Sequence, residues 1–225
     1  MFSGKTVAIV VGAGSGDRFG RLKQLDLLCG KSVLQRSLSS ASAACDVAMA
    51  VVPESLVETL ASELGTIDLD NSVGIFFTAG GNTRAESVRC GLNALGGITG
   101  DSIKDSIIVV HDAARPLASQ EIFRRVIDAV KDGADAAAPA TEMTDTIRHI
   151  ETGSVDRSLL RAVQTPQAFK AEMLKAAHAT KPEATDDATL VEAIGGKVVL
   201  VEGDPNNIKI THPQDLAVAE ILCAD

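Results

Sequence analysis

The stretch Val7-Ala8-Ile9-Val10-Val11-Gly12-Ala13-Gly14-Ser15-Gly16-Asp17-Arg18-Phe19-Gly20-Arg21-Leu22-Lys23-Gln24 decides the fold. Its apolar run, Val7 to Val11, is strand-length and rich in β-branched residues, the pattern of a strand buried on both faces. The run stops at Gly12, Gly14, Gly16 and Gly20, and two cations, Arg18 and Lys23, stand in or just beyond the loop. Glycines without Cβ let backbone N–H groups approach phosphate oxygens. The planar fork of Arg18 clamps two oxygens, and Lys23 supplies a point charge. By itself the stretch reads two ways: as a loop that holds and helps break a nucleoside triphosphate, or as a tight strand-to-helix turn.

Outward from this strand, apolar runs at 47–52, 74–78, 106–110, 134–140, 197–201 and 208–211 alternate with segments of helical period. Val33, Leu34, Leu38 and Ala41 share one helical face, as do Ala85, Val88, Leu92 and Leu95, and Ile122, Phe123, Val126, Ile127 and Val130. Continuous apolar strands between amphipathic helices predict an α/β fold: a Rossmann-like, mostly parallel sheet with helices on both faces. Thr83-Arg84-Ala85-Glu86 and Thr211-His212-Pro213-Gln214 read as capping boxes, which puts two helix N-termini at the carboxyl edge of that sheet. Open α/β sheets bind their ligands at that edge.

The segment 141–167 breaks the alternation. β-Prone residues flank the turn signal Glu151-Thr152-Gly153-Ser154, with little apolar face to dock on the main core, so it predicts a protruding β-hairpin arm for subunit contact. The 225 residues suit one domain, 1–225, carrying that arm.

Composition narrows the function. A net charge of −9, with no Trp or Tyr, argues against nucleic acid and anionic membranes as partners. Cys29, Cys45, Cys90 and Cys223 are widely spaced, which suggests neither a zinc site nor a disulfide framework. With no signal-like hydrophobic region at the start and no membrane-length apolar run, the expected location is the cytoplasm.

Two familiar phosphate motifs are excluded. A dinucleotide fingerprint would need glycine at 17 or 19, where Asp17 and Phe19 stand, so an oxidoreductase reading fails. A P-loop ending at Gly30-Lys31-Ser32 would need glycine where Leu25 stands. Other clusters carry the chemistry. His111-Asp112-Ala113-Ala114-Arg115-Pro116 closes an apolar strand with an acid suited to a ribose or a metal. Gly80-Gly81 turns into a capped helix that presents unpaired N–H groups at its positive end, where Arg84 and Ser87 either face a ligand or only cap and solvate the helix. Lys209 lies inside the apolar run 208–211, where a lysine is costly unless it meets an anion.

These clusters, with Asp145-Thr146, Thr165-Pro166-Gln167, Thr185-Asp186 and Asn207-Ile208-Lys209-Ile210-Thr211, resemble the motifs of the 2-C-methyl-D-erythritol 4-phosphate cytidylyltransferase family. That family uses CTP in the non-mevalonate isoprenoid pathway. The family's usual Ala-Ala-Gly opening reads Gly12-Ala13-Gly14 here, and its proline before Lys-Gln is Leu22.

The resemblance implies Arg18, Lys23 and Lys209 as catalytic cations. It implies Gly12, Ala13, Gly14, Ser15, Gly16, Gly80, Gly81, Ser87 and Asp112 around CTP. Arg115, Thr146 and Thr185 would surround the methylerythritol phosphate, joined by Arg157 and Thr165 from the arm of a second subunit, so that the site is shared across a homodimer. Mg²⁺, or another divalent cation, would arrive on the nucleotide phosphates, with Asp112 a candidate contact. The rival readings are another polyol- or sugar-phosphate nucleotidyltransferase, such as a ribitol 5-phosphate cytidylyltransferase, and a non-catalytic nucleotide-binding protein.

Overall fold

Thr6–Val11 is strand β1, and its side chains alternate between two cores. Ala8 and Val10 pack into one buried cluster and Val7 and Ile9 into the other. That two-sided burial is why the run carries no polar face. The computed structural model describes residues 4–14, 19, 22–64, 74–99 and 103–224.

After the glycine loop, a short hairpin of β2 (Leu27–Leu28) and β3 (Lys31–Ser32) leads into α1 (Val33–Ala44). Ser32 caps α1 by accepting from the Gln35 N–H at 3.1 Å. There follow β4 (Val47–Val52), α2 (Val57–Leu64), β5 (Ile75–Ala79), α3 (Arg84–Thr99), β6 (Ile107–Asp112), α4 (Gln120–Lys131) and β7 (Ala136–Glu142). The excursion that comes next holds β8 (Arg148–His149) and β9 (Gly153–Ser154), a minimal antiparallel hairpin. The chain returns through β10 (Arg161–Val163) and β11 (Gln167–Lys170). It ends with α5 (Ala171–His178), α6 (Asp187–Ala193), β12 (Val198–Glu202) and α7 (Pro213–Ala224).

β5, β4, β1 and β6 are parallel neighbours. β11 is antiparallel to both β6 and β7, and β12 is parallel to β7. Ala140 pairs with Val163 on one flank and Glu202 on the other, so β10 and β11 share one flank of β7. The sheet is therefore mostly parallel, with one reversed line of strand inserted. α1, α2 and α4 cover one face, and α3, α5 and α6 the other. All the expected helical-face residues of α1, α3 and α4 are buried. Gly91 lets α3 lie close: a Cβ there would meet Ile9 Cγ2 at 2.8 Å.

Three expectations change. The run 208–211 is not a strand: the Ile210 N–H donates to the Ala114 carbonyl, and the segment crosses the carboxyl edge of the sheet instead of joining it. Its polar neighbours are committed to that crossing, since Asn207 Nδ2 donates to Gln164 Oε1 and to the Thr165 carbonyl. The second capping box is shifted by one residue. Asp215, not Gln214, accepts from the N–H groups of Thr211 and His212, both at 2.7 Å. Finally, the sheet claims both ends of 141–167: Thr141 and Glu142 finish β7, and β10 rejoins it. The part that leaves the sheet spans 143–160.

Candidate active site

Parallel strands bring their carboxyl ends to one edge. β1 is followed by Gly12, whose N–H donates to the Val51 carbonyl at 2.7 Å; β5 is followed by Gly80, whose N–H donates to the Val52 carbonyl at 2.9 Å. A Cβ on Gly80 would fall 2.2 Å from Ala13 Cβ, so only glycine lets the loops after β1 and β5 touch. β11 runs the other way and therefore starts at this edge, which delivers Thr165 beside the end of β6.

The turn into α3 satisfies itself. The Glu86 N–H donates to Thr83 Oγ1 at 3.1 Å, and Glu86 Oε2 accepts from the N–H groups of Asn82 (2.7 Å) and Thr83 (3.3 Å). The capping box expected from sequence is present. The Gly81 N–H goes to Ser87 Oγ at 3.2 Å, and the Ser87 hydroxyl goes to the Thr83 carbonyl at 2.9 Å. These donors are therefore not an open anion cradle, contrary to the sequence expectation. They are spent on holding the turn, and Ser87, 2% exposed, braces it.

Two cavities open at this edge. The larger, about 300 Å³, is lined by Gly12, Gly14, Lys23, Gly81 and Ser87 among others. The smaller, about 200 Å³, is lined by Arg115, Gln164, Thr165 and Thr185. Arg84, Asp112 and Lys209 line both, so the cavities meet at that triad. Asp112 Oδ1 accepts from Arg84 Nε at 2.9 Å, and Oδ2 accepts from Lys209 Nζ at 2.7 Å. Burial would raise the Asp112 carboxyl, but the Arg84 guanidinium and then the Lys209 ammonium outweigh it and hold it far below the usual carboxylate range. Lys23 Nζ donates to the Ile210 carbonyl at 2.6 Å, which ties the glycine loop's far end to the segment carrying Lys209.

Behind Asp112 the wall is polar and closed. The Asp112 N–H donates to Thr165 Oγ1 at 3.0 Å, and Thr165 Oγ1 lies 3.2 Å from His111 Nδ1. His111 Nε2 lies 3.2 Å from the Arg115 carbonyl, which can only accept. Nε2 therefore carries the proton, and the Thr165 hydroxyl donates to Nδ1. Burial pushes the His111 imidazole down to about 4, against the pull of Asp112, so it is neutral at pH 7. Arg115 Nη1 donates to the Asn207 carbonyl at 2.7 Å. Burial is also the main cause of its lowered pKa.

Of the expected residues, Gly12, Gly14, Gly81, Ser87, Asp112, Lys23 and Lys209 line the larger cavity, while Ala13 and Gly80 form the loop contact beside it. Ser15, Gly16 and Arg18 lie outside the described residues. Arg115, Thr165 and Thr185 line the smaller cavity. Thr165 does so from this chain's own β10–β11 corner, not from a partner's arm, because the reversed strand begins at the shared edge. Thr146 and Arg157 are exposed on the excursion and line neither cavity; Arg157 donates to the Thr144 carbonyl. The chain order did not reveal Arg84 as a bridge. Nor did it reveal Asp187, whose only signal was its place after Thr185-Asp186.

Among the described residues, no group of three or more His, Cys, Asp or Glu side chains is arranged to hold a metal ion. Among the described residues, Asp112 is the one carboxylate lining the larger cavity, and both its oxygens face cations. Such a donor set fits a hard cation brought in on phosphate oxygens, not a resident all-protein site.

A doubly covered, mostly parallel sheet whose carboxyl edge gathers a glycine loop and several cations around a buried carboxylate is the arrangement of a nucleotidyltransferase. The model of the family IspD, 2-C-methyl-D-erythritol 4-phosphate cytidylyltransferase, matches residues 6–225. The chain belongs to this family. The 2-C-methyl-D-erythritol 4-phosphate cytidylyltransferase of Rubrobacter xylanophilus is 41% identical, over 97% of this chain and 94% of its own length. That of Rhodococcus jostii is 39% identical, over 97% and 95%. Among solved structures, the 4-diphosphocytidyl-2C-methyl-D-erythritol synthase of Anaerococcus prevotii superposes with a TM-score of 0.82 at 28% identity, covering 99% of each chain. No described helix is long and apolar enough to cross a membrane.

Proposed function

We propose that the chain transfers a cytidylyl group from CTP to 2-C-methyl-D-erythritol 4-phosphate. The products are 4-diphosphocytidyl-2-C-methyl-D-erythritol and pyrophosphate, and the setting is the cytoplasm. The observation that carries this reading is the pair of cavities meeting at Arg84, Asp112 and Lys209. One cavity takes the nucleotide beside the glycine loop. The other takes the acceptor, beside Arg115, Thr165 and Thr185.

In the reaction, an oxygen of the acceptor phosphate attacks the α-phosphorus of CTP in line, and the bond to pyrophosphate breaks. Negative charge builds on the α-phosphate oxygens and on the departing pyrophosphate. Catalysis is then positioning plus fixed positive charge. Lys23 faces the leaving group, a role the family resemblance also gives Arg18, and Lys209 faces the incoming phosphate. Asp112 keeps Lys209 in place, and with both its oxygens given to Arg84 and Lys209 a divalent cation such as Mg²⁺ would be held by the nucleotide phosphates. Bound there, such a cation would neutralise charge on the triphosphate.

The excursion 143–160 serves as a dimer contact, and Arg157 and Thr146 on it reach the acceptor of a second subunit. Supporting this, Ile150 and Leu159 on it are 98% and 81% exposed, the most exposed large apolar side chains among the described residues.

Pyrophosphate release from CTP tests the reaction, measured with 2-C-methyl-D-erythritol 4-phosphate, with ribitol 5-phosphate and with no acceptor, each with and without Mg²⁺. Release that requires the first acceptor supports the reading. Faster release with ribitol 5-phosphate assigns the other polyol, and release with neither leaves a nucleotide-binding protein.

A further inference from the structure

Behind the junction of the two cavities the polar contacts continue into the core, to Asp187 and His178, which the chemistry described above does not use. His178, in the last turn of α5, and Asp187, the first residue of α6, are 4% and 1% exposed. His178 Nε2 lies 2.9 Å from Asp187 Oδ1. Asp187 Oδ2 accepts from Arg84 Nη1 at 2.7 Å, and Arg84 Nε donates to Asp112 Oδ1 at 2.9 Å. Lys209 takes the remaining Asp112 oxygen at 2.7 Å. The anchor is rigid, because Leu174, Ala177, Leu190 and Val191 of α5 and α6 belong to the buried core. Although burial works to raise the Asp187 carboxyl, the His178 hydrogen bond and the Arg84 charge hold it below its ordinary value.

The arrangement has a competitive logic. A guanidinium facing a carboxylate prefers the two-pronged fork, which would occupy both Asp112 oxygens. Here Arg84 gives Asp112 only Nε, while Asp187 takes Nη1 at the other end of the guanidinium. The nitrogen that would complete a side-on fork, Nη2, is buried without a partner. Arg84 is thus only half-engaged with Asp112, and Asp112 Oδ2 is left to Lys209.

We propose that Asp187, supported by His178, is a positioning residue for cytidylyl transfer that acts through Arg84 and Asp112 to set the place of Lys209. This rests on the reading of Lys209 as the cation beside the acceptor phosphate. Asp187→Asn keeps the side-chain shape and removes the charge that competes for Arg84, so the fork on Asp112 should close and displace Lys209.

The test combines kinetics with an NMR readout on the full-length protein. In Asp187→Asn, kcat should fall on the order of tenfold or more, with the CTP dissociation constant within about twofold. Asp187→Asn combined with Lys209→Ala should be no slower than Lys209→Ala alone, because both changes remove one effect. The Arg84 Nε–H resonance, assigned in ¹⁵N-labelled protein, should shift in Asp187→Asn while the core amide spectrum stays in place. A wild-type kcat in Asp187→Asn, a double variant slowed by the product of the two single losses, or an unmoved Arg84 signal would each overturn the proposal. Should Asp187→Asn not fold, His178→Gln removes the support more gently, and a smaller shift of the same resonance with a smaller loss of kcat is expected. Wild-type protein inert toward CTP and acceptor would instead overturn the assigned reaction, and the Arg84 resonance would still decide whether Asp187 sets the bridge.

Discussion

Lys209 Nζ donates to Asp112 Oδ2 across 2.7 Å, and 97 positions of sequence separate the two residues. The contact joins the end of β6 to the segment that crosses the sheet edge, and both cavities meet on it. Asp112 is buried and holds Arg84 on its other oxygen, so it works as a hub with a fixed number of places.

Asp112→Asn removes the hub's charge while keeping its shape. Arg84 and Lys209 would then face a neutral amide. Breaking a buried pair costs about 3–5 kcal/mol. Lys209 is 42% exposed and Arg84 21%, so solvent screens part of this and a loss of roughly 2 kcal/mol is expected. Urea unfolding of the variant checks it, and a midpoint unchanged from wild type would remove the hub from the stability account.

His111 makes stability fall on the acid side of neutrality. Its imidazole titrates near 4 in the folded chain, against about 6.5 when unfolded. Between those values the unfolded chain binds the extra proton, so folding weakens as pH drops through that window. The linkage amounts to about 2 kcal/mol between pH 7 and pH 5. The lowered carboxyls of Asp112 and Asp187 act further down: their contribution is intact above about 4 and is lost below it. Urea midpoints at pH 7 and pH 5 for wild type and His111→Gln should show the slope in the first and lose it in the second.

Gly80→Ala would push apart the loops after β1 and β5, since the new Cβ lands on Ala13. Overpacking of this kind costs about 1–3 kcal/mol, and CTP affinity should fall with it. Adding Ala13→Gly opens space at the clash and should recover part of both losses. Thermal melts and CTP titration of the three variants measure this, and no recovery in the double variant would point to a different contact.

The excursion 143–160 should behave as an interface. Ile150→Asp with Leu159→Asp ought to convert a dimer into a monomer in sedimentation, with little change in Tm because neither side chain is buried in the chain itself. Mixing Arg157→Ala with Arg18→Ala should restore some activity through hybrid subunits. A wild type that sediments as a monomer, or a mixture with no recovered activity, would contradict the shared site.

Much of the frame was legible because its signals are local. A β-branched run such as Val7–Val11 must be buried on both faces, and Thr83 with Glu86 states a helix start within four residues. β11 left no such signal: Gln167-Ala168-Phe169-Lys170 is too short to show a period, and its reversed direction follows from pairing with β6 and β7. The run 208–211 looked like a strand because three of its residues are apolar or β-branched, yet its backbone makes one crossing bond and no ladder. Lys209 does meet an anion, but not for the reason expected, since it is 42% exposed on the crossing segment and not buried in a strand. That the anion is Asp112, itself shared with Arg84 and through it with Asp187, depends on long-range packing that no local pattern encodes. Thr165 was misplaced for the same reason, since only the β10–β11 corner shows that it reaches its own chain's Asp112.

The single-turnover rate of Lys209→Ala at saturating CTP and 2-C-methyl-D-erythritol 4-phosphate, with the CTP dissociation constant measured on the same protein, tests the central claim most directly. Loss of one preorganised charge at the reacting phosphate should slow the step by about a hundredfold or more, with CTP affinity held within about threefold. A rate close to wild type in that variant would contradict the placement of Lys209 at the transferring phosphate, and with it the reading of the junction between the two cavities.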